Sequence, residues 1–576
     1  MVEPLERDDV AVAGMEILRP LRNSFRDGRT LLWILPAAFV AVFFYIPLAA
    51  ILRMGADAAL RAGLGAFSAH SILNVVGFTF FQAILSTLLT VAVGLPGAYV
   101  FARYKFPFKR LLRALWIVPF ILPTVVVAAG FESLLGPNGW VNLALRGAGL
   151  AAQPFPFLHS LGAILLAHVF YNTSIVLRLV GSAWERLDPN LPDAARMLGA
   201  NPWRAFRRVT LPLLMPSLLA AAALVFLFDF TSFGVILILG GPAFSTLEVE
   251  IYIQALQAFN LPAASLLSLL QIGTTLILVV ISSRLSERAE AATLRVGFRT
   301  ARKPRSAAER FSVAVVLSVL AALFFLPLIS PIASSLVRTE PARGERTAVQ
   351  AGFTLAYYQE LFVNRKQSAF FATPIETARN SLLVATATML IALALGIPAS
   401  ILLSRPRRLD RLVEPFLLLP LGTSAVTLGL GMLLVFSRPP LALIRSPLLL
   451  PIAHSLVALP FVVRGLKPAL AGIPARLRQA AATLGASPLR VWREVDFPIA
   501  ARAVLSAAAF AFAISLGEFG ATTIIVRPEF PTMPVAIYSF LSQPGGLNYG
   551  QAMAMATLLM LLCVAAVTVI ERTRES

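Results

Sequence analysis

The chain has 576 residues, of which 58% are hydrophobic and only 14% are charged. Soluble domains of this total length would need a far larger charged surface. The composition therefore excludes a protein made of soluble domains. The net charge of +20 comes from basic residues in short segments between apolar blocks. Because no aromatic-interleaved basic stripe is present, we expect no nucleic-acid partner. One cysteine and four scattered histidines give no ligand spacing, so we also expect no metal site.

The apolar blocks predict an all-α polytopic membrane protein with about twelve transmembrane helices, because each block is long enough to cross a hydrocarbon core of roughly 30 Å. A polar N-terminal segment, 1–30, precedes them. The first six blocks lie at 31–52, 75–102, 114–135, 157–180, 216–239 and 263–283. The second six lie at 312–337, 380–403, 413–436, 447–468, 502–526 and 549–570.

The charged segment 285–311 between the two sets is interpreted as a cytoplasmic linker. It divides the chain into a first module, 31–284, and a second module, 312–576. Lys and Arg are enriched in cytoplasmic loops, so their distribution predicts that both termini are cytoplasmic. The clearest cases are the loops after the second span of each half, which contain Arg103, Lys105, Lys109, Arg110 and Arg113, and Arg405, Arg407, Arg408 and Arg411.

The two halves are tandem repeats. One constant offset aligns His168 with His454, Gly199 with Gly485 and Phe233-Gly234 with Phe519-Gly520, through loops as well as spans. Each half has an even number of predicted spans, so the repeats have the same orientation. We therefore expect an axis along the membrane normal to relate them, with a pathway between them.

The loop after the fourth span of each half, at 186–212 and 472–498, is predicted to hold two short helices joined at a glycine. Gly199 and Gly485 can take the left-handed conformation that ends a helix. A proline then opens the second helix, and Pro212 and Pro498 are predicted to set where the next span begins. An Ala-rich helix of this kind could seat in a groove of a partner or lie on anionic lipid. Two copies with one spacing favour docking.

These loops read Asp193-Ala194-Ala195 before Gly199 and Gln479-Ala480-Ala481 before Gly485. They are similar to the glutamate–alanine–alanine loop of ATP-binding-cassette (ABC) importer permeases, and the whole chain resembles the fused two-module type I permeases of the inner membrane. The leading glutamate is Asp193 in one loop and Gln479 in the other, which puts in doubt a shared salt bridge at that position for the second half. The resemblance implies an ATPase-coupling role for Asp193, Ala194, Ala195, Gly199, Pro212, Gln479, Ala480, Ala481, Gly485 and Pro498.

The resemblance also implies partners: two copies of a cytoplasmic ABC ATPase, an extracytoplasmic solute-binding protein and the surrounding membrane lipid. No lysine follows a glycine, so the chain lacks the Gly-Lys-Ser/Thr of a phosphate-binding loop. ATP and Mg are therefore expected on the ATPase, and we expect no cofactor in this chain. No cluster of His, Cys and acids suggests catalysis, so we expect no catalytic residue and no enzyme.

Ionisable residues inside spans are energetically costly and mark candidate pathways. Asp229, with Ser232 nearby, Glu518 and Glu132 are the candidates here. The alternative is that these acids are buried between helices and bonded to Arg178, Arg464 or the backbone.

The segments 166–172 and 239–256 resemble thiamine permeases most, and ferric-iron permeases next. The second half leaves molybdate or sulfate permeases open. A 6+6 arrangement also describes ion-gradient-driven secondary transporters, but that class would not carry the paired loops.

Overall fold

The computed structural model describes residues 31–62, 69–116, 119, 122–150, 153–188, 190–241, 243–293, 301–338, 352–363, 373–439 and 442–575. The predicted segment 1–30 and part of the predicted linker, 294–300, lie outside these residues. The described chain is almost entirely helical, which confirms the predicted fold class, and contains one two-stranded antiparallel ribbon.

The helices of the first half are α1 (Leu31–Val40, a π-helical turn Ala41–Tyr45, then Ile46–Ala62), α2 (Ala69–Arg103), α3 (Lys109–Leu115), α4 (Thr124–Leu135), α5 (Trp140–Gly147), α6 (Leu161–Arg186), α7 (Asn190–Met197), α8 (Pro202–Ala205, a π-helical turn Phe206–Thr210, then Leu211–Phe230), α9 (Gly234–Leu239), α10 (Leu247–Tyr252, with a π-helical turn Ile253–Gln257) and α11 (Leu261–Thr293).

The second half contains α12 (Ala307–Leu336), β1 (Val337–Arg338), β2 (Gly352–Phe353), α13 (Ala356–Glu360), α14 (Pro374–Leu403), α15 (Arg408–Leu418, with a 3-10 turn Leu419–Gly422), α16 (Ala425–Phe436), a 3-10 turn Leu443–Arg445, α17 (Leu449–Ala471), α18 (Ala475–Thr483), α19 (Pro488–Val491, a π-helical turn Trp492–Asp496, then Phe497–Gly517), α20 (Gly520–Ile525), α21 (Met533–Leu541) and α22 (Gly546–Glu575).

Ten helices of the described chain are long and apolar enough to cross a membrane, and the number rises to eleven if one bent pair is counted as a span. They are α1, α2, α6, α8 and α11 in the first half, and α12, α14, α17, α19 and α22 in the second. The sequence predicted about twelve. The difference lies in the third span of each half.

The predicted third spans, 114–135 and 413–436, are not continuous helices. In the first half the helix begins after Pro123, whose ψ of 137° is not helical, and α4 has 12 residues. At 1.5 Å per residue that is about 18 Å, too short for α4 to cross a bilayer by itself. In the second half the chain bends by 104° between Val413–Gly422 and Ala425–Phe436. Ser424 starts the second segment by accepting a hydrogen bond from the backbone N–H of Thr427.

The predicted fifth spans, 216–239 and 502–526, are also interrupted. α8 ends at Phe230 and α9 begins at Gly234, while α19 ends at Gly517 and α20 begins at Gly520. A Cβ at Gly234 would lie 2.4 Å from the Thr124 hydroxyl, so the restart packs directly against the start of α4. This interruption determines where the acids of these helices lie.

The first helix of each half packs on the short helix of the other half. α1 contacts α16, and α12 contacts α4. Glycines let the backbones of these helices approach closely. A Cβ at Gly130 would lie 2.1 Å from the carbonyl oxygen of Pro327, and a Cβ at Gly431 would lie 2.9 Å from Pro47. Trp33 donates a hydrogen bond of 2.7 Å to Asp410, which also joins the two halves.

At the centre of each half one long helix is largely buried: α6 in the first and α17 in the second. α6 packs along α2 and α8, and α17 packs along α14 and α19. α11 extends through 285–293, so the first part of the predicted linker is helical. Further on, Arg302 accepts a backbone hydrogen bond of 2.9 Å from Lys105 and so contacts the loop after α2.

Candidate functional site

Two helix–glycine–helix loops, one in each half, have the predicted local structure. α7 is followed by Gly199 with φ +85°, and α18 is followed by Gly485 with φ +80°. The backbone N–H of Ala200 donates to the carbonyl of Ala195, and that of Ala486 donates to the carbonyl of Ala481, both at 3.1 Å. This is the hydrogen bonding of a Schellman helix end. A left-handed glycine is thus required twice.

The second helix of each loop is longer than predicted. α8 runs without a stop from Pro202 to Phe230, and α19 runs from Pro488 to Gly517. The prediction that Pro212 and Pro498 mark the start of the following span is therefore wrong. In the π-helical turn before Pro212 the backbone N–H of Leu211 donates to the carbonyl oxygen of Phe206. This turn is wider than an α-helical one, and it lies next to the position where proline has no N–H to donate.

The tips of the two loops expose apolar side chains. Met197 and Leu198 are each 90% exposed, and in the second loop Leu484 is 88% and Leu489 is 76% exposed. Apolar side chains this exposed beside polar helices are available for contact with another surface. The predicted coupling residues Asp193, Ala194, Gly199, Gln479, Ala480 and Gly485 are exposed beside them, with Ala195 and Ala481 partly so. Asp193 pairs with Arg196 of its own helix, at 3.6 Å.

The loops are anchored differently. In the second, Arg478 forms an ion pair of 2.5 Å with Asp496 in the turn that leads into the span. In the first, Trp203 stacks on Phe206, which stacks on Trp184 of α6. The two loops therefore share a backbone conformation but are held in place by different contacts, an ion pair in the second and stacked aromatic rings in the first.

A cavity of about 380 Å³ lies between the two halves. Its lining comes from the starts of α4 and α16, from α6 and α17, and from the interrupted helices α8–α9 and α19–α20. Most of the lining is apolar, and it includes the rings of Tyr171, Phe228, Phe233, Phe461, Phe510 and Phe519. The polar lining residues include His168, Asn172, Asp229, Ser232 and Glu518.

Three of the four predicted pathway residues, Asp229, Ser232 and Glu518, line this cavity. Glu132 does not: it is half-buried in α4, outside the lining. Asp229 and Glu518 do not pair with Arg178 or Arg464: both arginines are exposed, and the two acids lie beside buried histidines.

Asp229 instead accepts a hydrogen bond of 2.6 Å from Asn172. Glu518 accepts hydrogen bonds from the backbone N–H groups of Ala521, at 2.8 Å, and Thr522, at 3.0 Å. Bonding to the backbone, the second part of the alternative, is thus observed for Glu518.

Sequence reasoning assigned no role to His168 and His454. His168 lies 3.4 Å from Asp229, and His454 lies 3.2 Å from Glu518. The signal that could have found them was present, because the repeat offset aligns the two histidines with each other.

The sequence of both halves matches one known protein family. The family model described as "Binding-protein-dependent transport system inner membrane component" matches residues 90–294 and again 378–573. The chain belongs to this family. It is a multi-pass inner-membrane component of a transport system that works with a binding protein, and such a permease is not an enzyme.

Curated relatives of this transport component align along nearly its whole length. The thiamine transport system permease protein ThiP of Brucella abortus (strain 2308) is 29% identical, over 90% of this chain and 92% of that protein. The protein of the same name from Escherichia coli (strain K12) is 29% identical, over 94% and 96%. A bacterial ABC transporter involved in alginate import covers 47% of this chain and 99% of its own, at 19% identity and a TM-score of 0.35, which is too low to support a conclusion.

Proposed function

We propose that this chain is the permease of an ABC importer for thiamine, and that it forms the pathway for thiamine delivered by an extracytoplasmic binding protein. The observation that carries the proposal is that relatives bearing the thiamine permease name align over at least 90% of this chain. The cavity between the two halves supports it on independent, chemical grounds.

Thiamine is an aromatic cation, with a positively charged thiazolium ring and a second heteroaromatic ring. A cavity for such a molecule should combine a carboxylate with aromatic faces, which attract both the charge and the rings. Asp229, Tyr171, Phe228 and Phe461 provide that combination. Within the described residues no three His, Cys, Asp or Glu side chains cluster to hold a metal ion, and a carboxylate repels an oxyanion. The lining therefore favours thiamine over the ferric-iron and molybdate or sulfate alternatives.

The two loop tips support a pair of ATPase subunits as the partner. One apolar tip on each half suits one copy of the ATPase on each loop, and the chain itself lacks a phosphate-binding loop. ATP and Mg would then be bound by the partner. With the loops facing that ATPase, and with the interrupted third segment of each half counted as a crossing, both termini of the chain are cytoplasmic. The different anchoring of the loops implies two similar but non-equivalent contacts.

The test is uptake by the complete importer. The permease, its ATPase and its binding protein are reconstituted in proteoliposomes, and accumulation of labelled thiamine is measured with ATP supplied on the ATPase side. We expect accumulation that requires ATP and the binding protein and that excess unlabelled thiamine abolishes, whereas ferric iron and molybdate do not compete.

Two results would overturn the proposal. Accumulation of ferric iron or an oxyanion in place of thiamine would show that the proposed substrate is wrong. Thiamine uptake driven by an ion gradient in liposomes that contain this chain alone would show that the proposed class, an ATP-driven importer, is wrong.

A further inference from the structure

Each half carries a polar cluster around its buried histidine, and the repeat relates the two clusters position by position. The first cluster is Ser86, His168, Asp229 and Ser232. The second cluster is Thr388, His454, Ser515 and Glu518. Under the repeat, Asp229 corresponds to Ser515, and Ser232 corresponds to Glu518. These two corresponding positions thus hold one acid and one serine in each half, in exchanged order.

The exchange places the two carboxylates on opposite sides of their histidines. In the first cluster Asp229 lies 3.4 Å from Nδ1 of His168, and the Ser232 hydroxyl lies 2.9 Å from Nε2. In the second cluster the Ser515 hydroxyl lies 2.7 Å from Nδ1 of His454, and Glu518 lies 3.2 Å from Nε2. The two halves therefore present different chemistry to the cavity from the same backbone positions.

The Glu518 carboxylate is fully engaged in structural contacts. Its Oε1 accepts from the N–H of Ala521 at 2.8 Å, and its Oε2 accepts from the N–H of Thr522 at 3.0 Å and from the Thr522 hydroxyl. His454 lies against the same oxygen. These contacts lie at the start of α20, where the exposed N–H groups and the helix dipole stabilise a negative charge.

Asp229 lacks that support. It lies in the last turn of α8, where the helix dipole disfavours a negative charge. Its Oδ1 accepts the hydrogen bond from Asn172. Its Oδ2 is buried and accepts no hydrogen bond from the described part of the chain. A buried carboxylate oxygen without a partner is unfavourable, and a cation that reached Asp229 from the cavity it lines would remove the deficit.

We propose that Asp229 is the residue that binds the positively charged centre of the cargo, that Asn172 and His168 position its carboxylate, and that Glu518 has only a structural role. The inference rests on the proposed function, because it assumes that the cargo is an aromatic cation. It deepens that function by assigning recognition of the charge to the first half of the chain alone. Tyr171 and Phe228 line the cavity with Asp229 and would contact the ring of the cargo.

The test compares ligand binding by the permease–ATPase complex in nanodiscs, without the binding protein, so that only the cavity discriminates. The probes are thiamine and a neutral isostere in which carbon replaces the thiazolium nitrogen. We expect the wild type to prefer thiamine by about ten- to a hundredfold, the range for a hydrogen-bonded or ionic contact to one charged group. Asp229→Asn should abolish the preference, whereas Glu518→Gln should keep it and lower the thermal stability.

A double variant separates local binding from long-range charge effects. Asp229→Ser with Ser232→Glu keeps one carboxylate in the first cluster but moves it to the position of Glu518. We expect it to lose the preference for the cation although the net charge is unchanged. It also serves as a second test if Asp229→Asn is obtained in low yield, and Asp229→Glu should retain part of the preference.

The inference is overturned if Asp229→Asn keeps the preference, if Glu518→Gln loses it, or if the wild type shows none. These results differ from failure of the proposed function, which is read from thiamine uptake by the wild-type importer. Normal uptake with an unchanged preference in Asp229→Asn would reject this inference alone.

Discussion

The glycines of the two loops allow a specific test of their role. We expect Gly199→Ala and Gly485→Ala to impair ATP-driven uptake, since both positions have φ near +80°. A non-glycine residue there costs about 1–2 kcal/mol. A Cβ at either position would meet no other atom within 4 Å, so the whole effect is conformational. A change of this size lowers the ratio of native to non-native loop conformations about 5- to 30-fold.

The measurements are uptake into proteoliposomes and retention of the ATPase during purification. Each single variant should reduce both, and Gly199→Arg or Gly485→Arg should abolish uptake while membrane insertion is kept. Because the two loops are separate, the effects of the alanine variants should add.

A matched control lies in the second loop. Gly472 ends α17 with φ −70°, a conformation that alanine adopts freely, and its Cβ would make only ordinary contacts. Gly472→Ala should therefore behave as the wild type. Normal uptake and normal ATPase retention in both Gly199→Arg and Gly485→Arg would refute the reasoning.

Three further predictions concern stability and orientation. Gly130→Ala should destabilise the chain by about 1–3 kcal/mol, measured by thermal unfolding, because its Cβ would overlap the carbonyl oxygen of Pro327. Arg478→Ala should cost about 1–3 kcal/mol and speed hydrogen exchange in the second loop, because it leaves the buried Asp496 without its cation. Met197→Cys should react with an impermeant maleimide only from the cytoplasmic side, and Phe353→Cys only from the outer side.

Each has a control. Gly273→Ala, in a helix with open space around the glycine, should not destabilise. Arg490→Ala breaks a pair with Glu494 that is 66% and 56% exposed and should cost less than about 1 kcal/mol. Cys563 is buried and should give little background labelling. An unchanged melting temperature in Gly130→Ala, an equal effect of both arginine variants, or labelling of Met197→Cys from outside would contradict the respective prediction.

Local sequence patterns predicted part of the site correctly. The left-handed glycines follow from a short helix, a glycine and a proline in sequence, because a Schellman end depends on a few neighbouring residues. The continuation of α8 through Pro212 was missed. A π-helical turn depends on how the helix packs at that point, and the proline by itself indicates a stop.

The sequence by itself determined the membrane class, the two tandem halves and the positions of the loops. Hydrophobic length and a constant repeat offset are properties of the chain that do not depend on packing. Only the tertiary structure decided that α1 and α12 pack on the opposite halves, and that the third and fifth spans break at the cavity. It also decided that Asp229 and Glu518 meet histidines instead of arginines. These outcomes depend on contacts between residues far apart in the sequence, where burial leaves each polar group only the partners that the fold brings to it.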